Sequence, residues 1–189
     1  PIGDVLAATG TTVRGAPPIL VLLDVADPGN VGTLIRSALA AGAAGAVLAG
    51  ACADPFGPKA VRASAGAVLH LPVATEGDVE QVLGAMRDHG TRLVATTVMG
   101  GDLPEVADLV TGPIALVVGS ESHGIAPNVL AGADARVTIP LGTGPLGTGV
   151  ESLNVAMAGT VVLFESARQR RSGETNWTPS DHRRQGVAP

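Results

Sequence analysis

The sequence predicts an α/β domain built on a mostly parallel sheet with helices covering both faces. Short continuous apolar runs recur along the chain, as buried parallel strands require. Most are followed by segments whose apolar residues repeat at helical spacing, and Gly, Pro, Asn and Asp mark the joints between them. At 189 residues and 46% hydrophobic composition, one domain with a full core is expected. With aromatics at 2%, that core must be made of Ala, Val, Leu and Ile.

Residues 1–18 form a poorly periodic lead-in ending in GAPP and read as a linker remnant before a domain over 19–170. ILVLLD, 19–24, is a buried strand. Asp27-Pro28-Gly29-Asn30 is turn chemistry, with Asn30 as the candidate helix N-cap. Val31, Leu34, Ile35, Ala38 and Leu39 then carry a helix to about Gly42. Residues 46–49 are the next strand, 58–67 a helix, 68–73 a short strand, 78–89 a helix and 92–98 a strand. Residues 104–109 form a helical turn, 114–118 a strand, 127–130 a turn and 135–139 the last strand. The final helix spans 152–168, and the polar, aperiodic residues 171–189 read as a disordered tail.

That final helix is apolar on nearly every side until Glu165, running through Leu153, Val155, Met157, Val161, Val162, Leu163 and Phe164. A helix of this kind must be covered all round, which predicts a homodimer.

Composition excludes several classes. No apolar run is long enough to cross a membrane, and PIGDVLAATG lacks the basic start of a signal peptide. Cys52 is the sole cysteine, so no internal disulfide forms, which fits a reducing compartment; a cytoplasmic protein is expected. The four histidines lack metal-ligand spacing, so no metal is expected. Before residue 168 there are 7 basic and 15 acidic residues, net −8, and the remainder is +3. Such a body binds nucleic acid only through a local patch, its tail or sequence elsewhere.

The chemistry gathers between residues 111 and 164. Two successive strands run into loops rich in Gly and small polar residues, GSESHG and LGTGPLGTG, which points to one shared pocket where backbone approaches a ligand closely. Gly142–Gly147 matches GxGxxG, but it follows the last strand instead of opening the first βαβ unit, so a dinucleotide site is rejected. No Gly-Lys-Ser/Thr marks a P-loop, and GSESHG is not a nucleophile elbow.

DPGNVGTLIRSALAAGAAGAVL, ALVVGSESHGI and IPLG…VESLNVAMAGTVVLFE resemble the three ordered motifs of the SpoU-type RNA ribose 2′-O-methyltransferases of the SPOUT superfamily, and PKAVRASAGAVLHLPV resembles that family's middle segment. The resemblance covers 19–165. It implies a deep trefoil knot in the C-terminal third, S-adenosylmethionine as cofactor, and a homodimer with the active site near the subunit interface. It also implies methyl transfer to a ribose 2′-hydroxyl of tRNA or rRNA. Matched position by position, it places Asn30 and Arg36 in the first motif, Glu121 in the second, and Ser152 and Asn154 in the third. Arg36 is the residue implied to act on the hydroxyl, the others positioning it; an arginine stays protonated, so charge stabilisation and alignment are its expected roles. The implied cofactor contacts are Thr96, Gly119, Ile139, Leu141 and Leu153.

Three features depart from the family pattern. TGPLGTG is extra sequence beside the implied cofactor pocket, with an expected effect on affinity. Relatives carry an N-terminal RNA-binding domain, of which residues 1–10 read as the end, so that RNA would be captured through that domain. The acidic body is the third departure. It leaves two other readings open: a methyltransferase redirected to a small molecule, or a catalytically silent cofactor-binding dimer.

Overall fold

The computed structural model describes residues 1–9, 15–142 and 149–173. In chain order the elements are α1 (Ile2–Ala7), β1 (Ile19–Leu23), α2 (Pro28–Ala40), β2 (Gly45–Ala49), α3 (Pro58–Ala63), a 3-10 turn at Ala67–Leu69, and β3 (Val73–Glu76). There follow α4 (Val79–Asp88), β4 (Arg92–Thr96), β5 (Ile114–Val118), α5 (Pro127–Ala131), β6 (Ala135–Val137) and α6 (Val155–Gly173). The strands form one sheet in the order β3-β2-β1-β5-β4-β6, and every pairing is parallel, as the apolar runs predict.

Alternation along the strands divides the interior in two. Leu20, Leu22, Ile114, Leu116 and Val118 face α2, the 3-10 turn and α6, while Ile19, Val21, Leu23, Ala115 and Val117 face α1, α4 and α5. Gly32 lets α2 and α3 touch: a Cβ there would lie 2.4 Å from the Ala60 carbonyl oxygen. On the other flank of α2, Gly159 of α6 accommodates Leu34 in the same way, and the Ser37 and Thr160 hydroxyls meet at 2.7 Å.

Three sequence expectations change. Residues 2–7, read as lead-in, form a helix with Val5 buried against Gly45. Residues 68–73 are not a strand: Gly66, at φ +81°, turns the chain into the 3-10 turn, Val68 and Leu71 pack against α2, and pairing begins at Val73. Asn30 is not the cap of α2; Asp27 is, accepting from the Asn30 N–H at 2.9 Å with Pro28 in the first turn. Within the protomer α6 encloses Val162 and Leu163 and leaves Met157 61% exposed, Val161 43% and Phe164 44%. The tail from 174 lies outside the described residues.

The long connection from β4 to β5 is fastened to α6 by side chains. Gln169 Nε2 donates to the carbonyls of Pro104 (3.2 Å) and Ala107 (3.0 Å), its Oε1 accepts from Leu109 N–H (3.2 Å), and the buried Ser166 hydroxyl donates to the Leu109 carbonyl (3.0 Å). These bonds satisfy backbone groups that no sheet reaches. Among the described residues no helix is long and apolar enough to cross a membrane.

Candidate functional site

The chain leaves β1 toward one flank of the sheet and returns through β4 and β5 on the other, so the order reverses between β1 and β5. After β1 it rises into α2 on one face; after β5 it leads to α5 on the opposite face. A crevice opens at the carboxyl ends of two such strands, the usual place for a ligand in an open α/β sheet. Asn30 stands on one side of it and Glu121 on the other.

These two residues and Asn154 form one hydrogen-bonded chain. Asn154 caps α6, its Oδ1 accepting from the N–H groups of Ala156 (2.9 Å) and Met157 (3.3 Å). Those donors fix the orientation of the amide, so its Nδ2 donates to Asn30 Oδ1 at 3.1 Å. Asn30 Nδ2 in turn donates to Glu121 Oε1 at 2.7 Å. The carboxylate is thereby held at one oxygen by a relay that begins at a helix N-terminus. Glu121 is exposed, and its Oε2 makes no hydrogen bond among the described residues.

Below Asn30 lies a support that sequence reasoning missed. Asp27 Oδ2 pairs with Lys59 Nζ at 2.9 Å while its Oδ1 caps α2. The Lys59 hydrogen bond, followed by that from Asn30 N–H, holds the Asp27 carboxyl below the usual carboxylate range. The signal was present as Asp-Pro, an N-cap followed by a first-turn proline. With Asp27 as cap, Asn30 has its side chain directed elsewhere.

Arg36 and Ser152 are not joined to this relay. Both are exposed, and neither makes a hydrogen bond among the described residues. Arg36 lies six residues beyond Asn30, about 9 Å along the axis and roughly 120° around the helix. It leaves α2 on its outer side.

The residues expected to touch a cofactor lie at the ends of β4, β5 and β6. Thr96 closes β4 beside Val137, its hydroxyl donating to the Val117 carbonyl at 3.2 Å. Gly119 has its own reason to be glycine: a Cβ would meet the Gly124 carbonyl at 2.4 Å, because the 120–124 loop folds back and pairs Ser120 with Gly124. Ile139 is half-buried, and Leu141 and Leu153 are each 36% exposed. None of the five bears a charge, and Ile139, Leu141 and Leu153 offer apolar surface fit for the face of a purine. Residues 143–148, most of the extra Gly-rich loop, lie outside the described residues.

No group of His, Cys, Asp and Glu among the described residues could hold a metal ion. Cys52 is half-buried, its thiol donating toward the Leu22 and Ala49 carbonyls, and burial pushes its pKa up; it is a structural thiol.

Comparison with known proteins matches a model of the SpoU rRNA Methylase family to residues 17–164. A protein of Mycobacterium sp. strain KMS named as an uncharacterized tRNA/rRNA methyltransferase is 40% identical over 170 residues, covering 89% of this chain and 52% of that protein. The 23S rRNA (uridine(2479)-2′-O)-methyltransferase of Streptomyces viridochromogenes is 39% identical over 156 residues, covering 80% and 53%. Among solved structures, the AdoMet-bound rRNA methyltransferase of Sinorhizobium meliloti superposes with a TM-score of 0.77 at 33% identity, covering 88% of this chain and 60% of that one. The SpoU methyltransferase AviRb of Streptomyces viridochromogenes, in complex with AdoMet, gives 0.74 at 34% identity, covering 89% and 63%. The chain thus spans about half the length of the sequence relatives it matches.

Proposed function

The chain belongs to the SpoU rRNA Methylase family, and from that premise we propose that it transfers a methyl group from S-adenosylmethionine to a ribose 2′-hydroxyl of tRNA or rRNA, acting in the cytoplasm. The observation that carries this reading is the relay from the α6 N-terminus through Asn154 and Asn30 to Glu121. It joins one position from each of the three motifs at the sheet's reversal point.

Thr96, Gly119, Ile139, Leu141 and Leu153 would hold the cofactor, the leucines and isoleucine walling the adenosine and the strand-end backbone binding its polar edges. S-adenosylmethionine, when bound, supplies the transferable methyl group and the positive charge that makes it electrophilic. The protein's part is to prepare the nucleophile, since a ribose hydroxyl is a poor one. Glu121 Oε2 accepts a hydrogen bond from the hydroxyl and fixes its direction, while the relay keeps Glu121 from turning away. Arg36, exposed on α2 beyond Asn30, would reach the ribose from the other side and stabilise negative charge developing on the 2′-oxygen. Ser152, exposed two positions before Asn154, would orient the sugar.

The exposed stripe Met157, Val161 and Phe164 supports a homodimer in which α6 packs against its copy. The groove between this stripe and Ile139–Pro140 brings that interface to the edge of the cofactor residues. The trefoil threading belongs to the same proposal.

The test is single-turnover transfer of labelled methyl to total RNA from a strain lacking the protein, followed by mass spectrometry of the nucleosides. A 2′-O-methylnucleoside is expected. Label on a base, or on no RNA at all, would overturn the reading.

A further inference from the structure

Charge is unevenly distributed along this acidic chain. Residues 28–75 contain Arg36, Lys59 and Arg62 against the single acid Asp54, whereas the rest of the chain before residue 168 has four cations and fourteen acids. The positive stretch is the α2–α3 pair, packed edge to edge at Gly32. Lys59 and Arg62, three residues apart on the short α3, are both exposed, Lys59 reaching toward the start of α2. Two acids lie nearby: Asp54 Oδ1 accepts from the Phe56 N–H at 2.9 Å, and Asp27 pairs with Lys59 at 2.9 Å, so the positive charge not balanced by an ion pair is that of Arg62.

That bond, with the Gly57 N–H to Asp54 carbonyl bond at 3.2 Å, builds a tight turn that presents Phe56 to solvent just ahead of α3. Its ring is 53% exposed. The whole sequence has only three aromatic residues, and placing one on a fixed turn beside two cations forgoes core packing. A held aromatic face flanked by cations is what an unpaired nucleobase and its phosphates require.

The patch is also continuous with the candidate site. Lys59 bonds Asp27, Asp27 receives the Asn30 N–H, and Asn30 bonds Glu121. We infer that the outer face of α3, with Phe56 at its entry and Lys59 and Arg62 along it, is the surface on which the substrate RNA lies single-stranded as it leads into the crevice, Phe56 stacking on a base and Arg62 meeting a phosphate. The inference rests on the RNA reading above and extends it to a binding surface within this chain.

The test uses the full chain and a fluorescein-labelled uridine oligonucleotide of about 20 residues, with affinity read by anisotropy across a salt series. Phe56→Ala is expected to weaken binding about 5- to 100-fold, and Phe56→Trp to retain it. Arg62→Gln is expected to lower the slope of log affinity against log salt by about 0.7, the value for one contact to a single strand. Both residues are exposed, so cofactor affinity by calorimetry and the thermal midpoint should equal those of the unaltered protein, which separates a binding surface from a folding defect. Unchanged affinity and slope in both variants, while the unaltered protein binds and methylates RNA, would overturn the surface and leave the function standing. Absence of RNA binding and methylation by the unaltered protein would remove the RNA reading and the surface together.

Discussion

The relay through Asn154 has a direction, and that makes it testable at single atoms. Asn154 accepts from the α6 backbone with one atom and donates to Asn30 with another. Asn154→Ala should lose both roles, costing about 1 kcal/mol of stability from the missing cap and most of the activity. Asn154→Asp separates them. A carboxylate caps as well as an amide does and suits a helix N-terminus, yet it cannot donate. If Asn30 turned its NH2 group toward the new carboxylate, its oxygen would face that of Glu121. Stability should therefore hold in thermal denaturation while single-turnover methyl transfer falls by about tenfold or more. A variant with normal turnover would show the relay to be structural only. Arg36→Ala should lower turnover by two or more orders of magnitude, about 3 kcal/mol, with cofactor affinity little changed, since Arg36 stands apart from the residues proposed to hold the cofactor. Arg36→Lys should recover little, because a point charge does not reproduce a planar fork of donors.

Elements differ in how plainly they can be read from sequence, for physical reasons. β1, β2 and β5 are buried on both faces and appear as unbroken apolar runs. β3 is an edge strand, VATE, with Ala74 alone fully buried, so its sequence carries no such run; the apolar residues before it pack under a turn instead. The start of α2 was misplaced because Asp27 and Asn30 are both good caps, and only the Lys59 contact and the Glu121 bond distinguish them. Asn30 and Asn154 are 124 positions apart, so no local pattern could join them; the motif resemblance named them, and the fold brings them together. The Asp27–Lys59 pair gives a prediction with a sign. Because the folded Asp27 carboxyl lies below its ordinary range, its contribution to stability is present above that range and is lost as pH falls through the folded value. Lys59→Met should move the carboxyl titration, followed by NMR, upward toward the ordinary value. At the far end of the fold, Gln169→Ala would strip partners from two backbone carbonyls and an N–H on buried residues, and a loss of about 2–3 kcal/mol in urea unfolding is expected.

At the scale of the whole molecule, α6 presents two faces with different fates. Val162 and Leu163 are enclosed within the protomer, whereas Val161 and Phe164 are open. Phe164→Glu should yield a folded monomer by light scattering and circular dichroism, while Leu163→Glu should prevent folding; a dimer unaffected by Phe164→Glu would place the interface elsewhere. The bonds that fasten the β4–β5 connection to α6 also order events in time. Gln169 binds groups 60 to 65 positions earlier in the chain. At about 5–20 residues per second, a ribosome takes several seconds between releasing Ala107 and releasing Gln169. Through that interval the connection lacks its bonds to Gln169, and Val98, Met99, Leu103 and Val106, exposed even in the finished fold, stand open to chaperones or to neighbouring nascent chains. Every strand among the described residues is made before Gln169, so a chain halted a few codons short of it would carry those strands and still lack the clasp.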